Sequence, residues 1–381
     1  MSRGKDFARV LARCFCAETT ANNSRQGPQG LFYATHGPPA SVLALRDIPI
    51  PSTEKIPRSA VLLRFLASPV NPADLMTVEG TYPLLPTSLP AVGGGEGVAE
   101  VVAVGRSVRG FSNGDWAVIA SPRDSGGSWR EGGLAPASSI FNVPHTLPLS
   151  VAATLGVGAQ TAVRLLRCAP SLRPGDGVAI NGASSVVGRY LVSVASSYGF
   201  RPVALLRPRE RWDEDAEELK ALGAEVVLRD EPPPPPPSPR APRFTLSQGL
   251  SVRLALNCVG GDSAATLVSL LSPSGLLITY GGMSKSPLRF STSSFLFKGI
   301  TASGFWLSGW EHAQGIDAKE AAKAARGETK ARESALSECV RLSESGVLRP
   351  PHVAETRLED WREAFAEHAA GAQRRKILFV F

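Results

Sequence analysis

Residues 175–199 read GDGVAINGASSVVGRYLVSVASSYG, and the fold turns on the change of rhythm inside this stretch. Val178, Ala179 and Ile180 make a short apolar run that reads as a buried strand. A turn of small residues follows, and from about Ser185 the apolar positions recur at helical spacing. A strand that passes through such a turn into a helix lets a dinucleotide's pyrophosphate approach the backbone amides and the positive end of the helix. Small residues are needed there because a Cβ in the wrong place blocks the approach. Gly182 and Gly188 are present, but Val186 stands where a central glycine is expected, so the GxGxxG spacing is incomplete.

Downstream the same unit recurs. RPVALLR is a second strand, DEDAEELKALGA a helix and EVVLRD a third strand; VRLALNCVG, SAATLVSLLSPSG and LLITYGG repeat strand, helix and strand. This alternation predicts a parallel doubly wound sheet. The proline run EPPPPPPSPRAPR, residues 231–243, cannot join a ladder and reads as a surface insertion, with an SH3-type ligand as the alternative. Upstream, VLALRDI, AVLLRFLASPV, GVAEVVAVG and DWAVIAS are short β-like runs between Gly, Pro and Asn-Gly signals. They predict a mostly antiparallel β domain to about residue 155, followed by the helical LPLSVAATLGVGAQTAVRLLRC. Residues 317–346 are helical and charged, and the tail QRRKILFVF is a strand that returns to the first domain.

The composition agrees with two globular domains: 381 residues, 43% hydrophobic and 20% charged. No apolar run reaches the about 18 residues of a membrane span. The net charge of +7 is dispersed and not interleaved with aromatics, which argues against nucleic acid and suits a phosphate-bearing ligand. Cys14, Cys16, Cys168, Cys258 and Cys339 are odd in number and contain no CxxC pair, so they read as free thiols. Arg3, Lys5, Arg9 and Arg13, against Asp6, with Phe7, Val10, Leu11 and Phe15 at helical spacing, read as a transit peptide over residues 1–30; a plain tail is the alternative.

Two further stretches carry chemistry. The second strand of the sheet ends in ALLRPRERW, with Arg207, Arg209 and Arg211 and no acid before Glu210. An acid there would receive the ribose hydroxyls of NADH; arginine receives the 2′-phosphate of NADPH, and NADPH is the expected cofactor. The loop SPVNPADLMTVEGTYPLLP, residues 68–86, holds Asn71, Asp74 and Tyr82 among stiffening prolines. The Tyr82 phenol is either a core cap or a proton donor beside a cofactor.

Through ASPVNPADLM, GTYPLLP, LPAVGGGEGVAEVVAVG, GDWAVIA, AATLGVGAQTAVRLL, LNCVGG, TYGGMSK and GFWLSGW, the chain resembles the mitochondrial trans-2-enoyl-thioester reductases over about residues 30–381. These form part of the zinc-free branch of the medium-chain dehydrogenase/reductases. The resemblance implies an α/β chain with a GroES-like β-rich catalytic domain, residues 31–157 and 311–381, and a Rossmann NADP-binding domain, residues 158–310. Substrate would lie in the cleft between them. It implies NADPH-dependent reduction of enoyl thioesters, on coenzyme A or acyl carrier protein, in mitochondrial fatty acid synthesis, by a homodimer. Hydride would reach the β-carbon, and Tyr82, matching the family's Gly-x-Tyr, would protonate the α-carbon. Cofactor contacts are implied for Ser184, Ser185, Val186 and Val187, for Arg207 and Arg209, for Tyr280, Gly281, Gly282 and Met283, and for Phe305, Trp306, Leu307 and Ser308. Plain interdomain packing is the alternative for Phe305, Trp306 and Trp310. Arg375 is the nearest match to a basic cofactor contact near the C-terminus.

The zinc enzymes of that superfamily carry Gly-His-Glu where this chain has Gly94, Gly95 and Glu96. Gly95 replaces the histidine, Asn71 and Pro72 occupy the place of a cysteine, and no cysteine cluster exists, so no metal is expected. Gly158, where the family has Asn, and Val186 are departures that bear on cofactor affinity. A zinc-free quinone-type NADPH oxidoreductase and a noncatalytic NADPH-binding or interaction protein remain as alternatives.

Overall fold

The computed structural model describes residues 27–49, 52, 55–120, 126–169, 171–231, 246, 249–309, 335–370 and 375–381. The expected targeting segment up to residue 26, with Cys14 and Cys16, lies outside the described residues, as do residues 232–243 of the proline run and Trp310. Two compact units emerge. Residues 27–156, 335–336 and 352–381 belong to the first, and 157–309 with 337–351 to the second.

In chain order the first unit contributes β1 (Gln29–Tyr33), β2 (Leu43–Asp47), β3 (Ala60–Pro69), β4 (Ala91–Val92), β5 (Val98–Val104), β6 (Trp116–Ile119), β7 (Gly132–Pro136) and β8 (Ile140–Val143). The second contributes β9 (Gly177–Ile180), β10 (Arg201–Leu206), β11 (Val226–Arg229), β12 (Val252–Asn257), β13 (Leu276–Thr279) and β14 (Thr301–Gly304). The chain then returns to the first unit in β15 (Val353–Arg357) and β16 (Lys376–Val380).

The first unit is built on β3, whose ten residues are almost all buried. Its sheet runs β15-β16-β3-β5-β6-β8, with β7 also on β3, and every pairing is antiparallel except β15 with β16. One side of β3 packs Val61, Leu63 and Phe65 with Val101, Ile119 and Ile140. A second core gathers Leu31, Tyr33, Trp129, Trp361, Phe365 and Phe379. Trp129 is fully buried there, edge-on to Phe365 and Phe379 with ring centroids 5.6 and 5.9 Å away, and its Nε1 donates to the Pro69 carbonyl at 3.2 Å.

That tryptophan explains the glycine run. A Cβ at Gly93 would lie 2.3 Å from the Trp129 ring, and one at Gly94 would lie 2.5 Å from Ser128 Oγ. Gly94 also has φ +85, a backbone that favours glycine. The run therefore makes both a turn and a bed for the indole.

The second unit is a six-stranded sheet in the order β11-β10-β9-β12-β13-β14, parallel throughout. Counted along the chain this is 3-2-1-4-5-6, the doubly wound order whose strand direction of progression reverses at the first strand. Ala179, Val203, Leu205, Ala255 and Leu277 fill its core with Leu267 and Val268 of the helix Gly261–Leu270. Strands buried on both faces need near-continuous apolar runs, which is how they read in the sequence.

Gly93→Ala is expected to destabilise the first unit by about 1–3 kcal/mol through overpacking against Trp129. Thermal unfolding should show a Tm lowered by several degrees, and an unchanged Tm would show that the indole bed yields to a methyl group.

Candidate active site

Parallel strands end together, so the residues that follow them share one edge of the sheet. Ser184–Val187 follow β9, Arg207 and Arg209 follow β10, Tyr280–Met283 follow β13 and Phe305–Ser308 follow β14. Every expected cofactor residue of the second unit is thus at the carboxyl edge, where the reversal of strand order opens a crevice. Tyr82 and Arg375 belong to the first unit.

The turn after β9 is shaped for close approach. Gly182 has φ +58, and a Cβ on Gly188 would lie 2.4 Å from the Gly182 carbonyl, so the helix Val186–Ser197 sits directly on the turn. Ser185 caps that helix, its Oγ accepting from the Gly188 amide at 3.0 Å. The first-turn amides have no intrahelical acceptors and carry the positive end of the helix dipole, which suits a pyrophosphate. Val186 is only 7% exposed; its side chain is packed inward and not spread over the turn. Gly158 is buried in the π-helical turn Leu155–Ala159.

Two asparagines that sequence reasoning passed over hold this edge together. Asn181 and Asn257 are fully buried. Asn181 donates through Nδ2 to Asn257 Oδ1 and to Ser263 Oγ, both at 2.8 Å, and its Oδ1 accepts from the Cys258 amide at 2.8 Å. Asn257 Oδ1 also accepts from the amides of Val259 and Gly260, and its Nδ2 donates to Thr279 Oγ1 at 3.1 Å. The available signal was positional: each asparagine directly ends or follows an apolar strand, where a satisfied polar side chain must serve a turn.

The loop after β13 is fastened to that turn, with the Met283 amide donating to the Cys258 carbonyl and Ser284 to that of Val259. Tyr280 points its hydroxyl inward beside Cys258, and burial pushes its phenol well above the usual range. Phe305 and Leu307 are buried, whereas Trp306 is exposed. Arg209 donates through Nε to Asp215 Oδ2 at 2.8 Å, while Arg207 is exposed.

In the first unit the helix Pro72–Glu79 begins at Asn71 and ends at Gly80, whose φ is +80. The amides of Thr81 and Tyr82 both donate to the Met76 carbonyl, which folds the chain back and presents a half-buried Tyr82. At the other end of the helix, Asn71 bridges the buried Glu96 and the half-buried Lys376. Its Nδ2 donates to Glu96 Oε2 at 2.8 Å, and its Oδ1 accepts from Lys376 Nζ at 2.6 Å. Lys376 Nζ also donates to the Val70 carbonyl at 2.9 Å. Arg375 is exposed, whereas its neighbour Lys376 is turned inward to Asn71 and Val70, a difference that sequence spacing does not show.

Asp74 completes the cluster, with its Oδ2 accepting from the Asn71 amide at 2.8 Å. Burial pushes its carboxyl up to about 7, against the downward pull of the Asn71 amide and the Lys376 ammonium. Burial likewise lowers Lys376, while Glu96 and Asp74 raise it. Among the described residues no group of three His, Cys, Asp or Glu side chains is arranged to hold a metal ion.

These two units match two family models: the Alcohol dehydrogenase GroES-like domain over residues 57–163 and Zinc-binding dehydrogenase over residues 186–322. A mitochondrial enoyl-[acyl-carrier-protein] reductase of Rattus norvegicus is 40% identical over 284 residues, covering 74% of this chain and 73% of that protein. One from Caenorhabditis elegans is 36% identical, covering 88% and 90%. A solved structure of the Etr1p/NADP/crotonyl-CoA complex is 27% identical with a TM-score of 0.79, covering 93% of this chain and 99% of that one. A GroES-like unit and a 3-2-1-4-5-6 parallel sheet in one chain define a medium-chain dehydrogenase/reductase. Within that class the chain belongs to the mitochondrial enoyl-[acyl-carrier-protein] reductase family.

The Asp74 carboxyl has a folded value above its ordinary 3.8, so folding favours the protonated form. That stabilisation is whole below about pH 4 and is lost as pH rises through about 7. Asp74→Asn should therefore lose less stability than the parent over this window in denaturant unfolding. Parallel pH profiles would show that Asp74 is already ionised throughout.

Proposed function

We infer that the chain is an NADPH-dependent reductase of trans-2-enoyl thioesters working in the mitochondrion. The observation that carries this is its membership of the enoyl reductase family over most of its length, together with the fold it shares with Etr1p solved with NADP and crotonyl-CoA. The turn over Gly182 and Gly188 fits such a cofactor, since the missing Cβ at Gly188 seats the start of the helix Val186–Ser197 directly against the Gly182 carbonyl and so brings its first-turn amides to the turn. NADPH, when bound, supplies the hydride that adds to the β-carbon of the substrate. In our reading Ser184, Ser185, Val186 and Val187 hold its pyrophosphate and Arg207 and Arg209 its 2′-phosphate. Tyr280, Gly281, Gly282 and Met283, with Phe305, Trp306, Leu307 and Ser308, serve its ribose and nicotinamide, and Arg375 supplies a basic contact.

As hydride arrives, negative charge gathers on the thioester oxygen. Hydrogen-bond donors aimed at it in a dry site contribute on the order of 3–4 kcal/mol each. The Tyr82 phenol gives its proton to the α-carbon, and the phenolate regains one from solvent. Asn71, Glu96 and Lys376 fix the start of the helix that presents Tyr82. Tyr82→Phe should lower kcat by about a hundredfold or more, with NADPH affinity kept within about twofold, in steady-state assays with crotonyl-CoA and fluorescence titration. A matching loss of NADPH binding would refute the donor role.

Acyl carrier protein is the proposed carrier, following the name of the relatives, and a homodimer is the proposed assembly. The dimer reading rests on β14, an edge strand whose four residues are all exposed and which pairs, among the described residues, only with β13. Just before it, Leu296 and Phe297 of the helix Thr292–Lys298 are 71% and 84% exposed. An open strand edge with apolar neighbours is a ready partner for a second copy. Leu296→Asp with Phe297→Asp should convert the dimer to monomer in light scattering after gel filtration; a dimer that survives would place the interface elsewhere.

A further inference from the structure

We propose that Asp230 tempers the preference for a 2′-phosphorylated dinucleotide by opposing Arg207 at the adenosine end of the crevice. The inference rests on the reading of Arg207 as the residue that receives the 2′-phosphate.

The sheet register sets the two residues together. Leu206 at the end of β10 pairs with Arg229 at the end of β11, so Arg207 and Asp230 leave the sheet side by side. The Asp230 amide donates to the Leu206 carbonyl at 2.9 Å, which holds the start of that exit. The carboxyl is tethered as well: Oδ2 accepts from Ser263 Oγ at 2.7 Å, and Ser263 Oγ accepts in turn from Asn181 Nδ2 at 2.8 Å. A one-way chain of donors therefore runs from the phosphate turn to Asp230 and stops there. Asp230 Oδ1 is buried and accepts no hydrogen bond among the described residues. Burial raises the carboxyl, and the Ser263 hydroxyl and the Arg207 charge lower it, which places Arg207 within electrostatic reach.

A strand-end carboxylate receives a ribose 2′-hydroxyl, and a strand-end arginine receives a 2′-phosphate. This chain has one of each on adjacent strands. The carboxylate subtracts from the positive potential that Arg207 offers a phosphate, whereas the unphosphorylated cofactor brings no phosphate charge there for it to oppose. Arg209 is partly neutralised by Asp215, so the balance at this end falls to Arg207 and Asp230.

The test is titration of the full chain with NADPH and with NADH, followed by fluorescence. Asp230→Asn keeps an acceptor for Ser263 and removes the charge; it should tighten NADPH by about three- to tenfold and leave NADH no tighter, so the preference rises. Asp230→Ser, a second neutral replacement, should raise it too and guards against a folding defect in the first. Ser263→Ala cuts the tether and keeps the charge, and should leave the preference within about twofold. A preference unchanged or lowered in both Asp230 variants overturns the proposal, as does an equal rise in Ser263→Ala, which would assign the effect to packing of the turn. Arg207→Ala tests the underlying reading separately: if the preference for NADPH survives it, Arg207 does not receive the phosphate, whatever the Asp230 variants do.

Discussion

The hydrogen bond from Asn181 to Asn257 carries the pairing of β9 and β12 past the last rung of their ladder. A ladder pairs strands along their length, but at the carboxyl edge each chain must leave in its own direction, and its polar groups lose their partners. Asn181 and Asn257 replace those partners inside the protein, each using its amide as both donor and acceptor. Leaving one such group unpaired in the interior costs about 1–3 kcal/mol. The phosphate turn, the loop after β12 and, through Thr279, the end of β13 are therefore held in one arrangement before any ligand arrives.

An amide also organises the first unit. Asn71 stands between Glu96 and Lys376, presenting its oxygen to the ammonium and its nitrogen to the carboxylate. The buried carboxylate and the half-buried ammonium are each hydrogen-bonded through this one amide. Lys376 arrives there because β16 pairs antiparallel with β3, which ends just before Val70 and Asn71. The chain's last strand thus supplies a charge to a loop some three hundred residues earlier, and the helix that starts at that loop carries Tyr82 at its far end.

Much of this was legible in the residues. The period change around Asn181–Ser185, the alternation of strands and helices after it and the short β-runs before it were local patterns, and local patterns survive in a linear reading. The strand-end clusters Arg207–Arg209, Tyr280–Met283 and Phe305–Ser308 were legible for the same reason: each follows an apolar strand directly, and parallel strands gather their ends. Less visible were Lys376, beside the more conspicuous Arg375, and Asp230, next to the proline run. Neither has a signature of its own, since a lysine or an aspartate on a strand end reads as solvated until its neighbours are known.

The glycine run 93–95 divides the two kinds of information. By sequence alone it excluded a histidine ligand and required small residues at a turn, because those are properties of the residues themselves. That the space above Gly93 belongs to Trp129, more than thirty residues away, was decided only by tertiary packing. The same holds for the buried charges. Covalent order determined which strands and turns could form, and with them the class of fold. Which side chains face one another across the sheet, and so which carboxyl is raised and which amine is lowered, depends on register and burial, which arise only when the chain is closed.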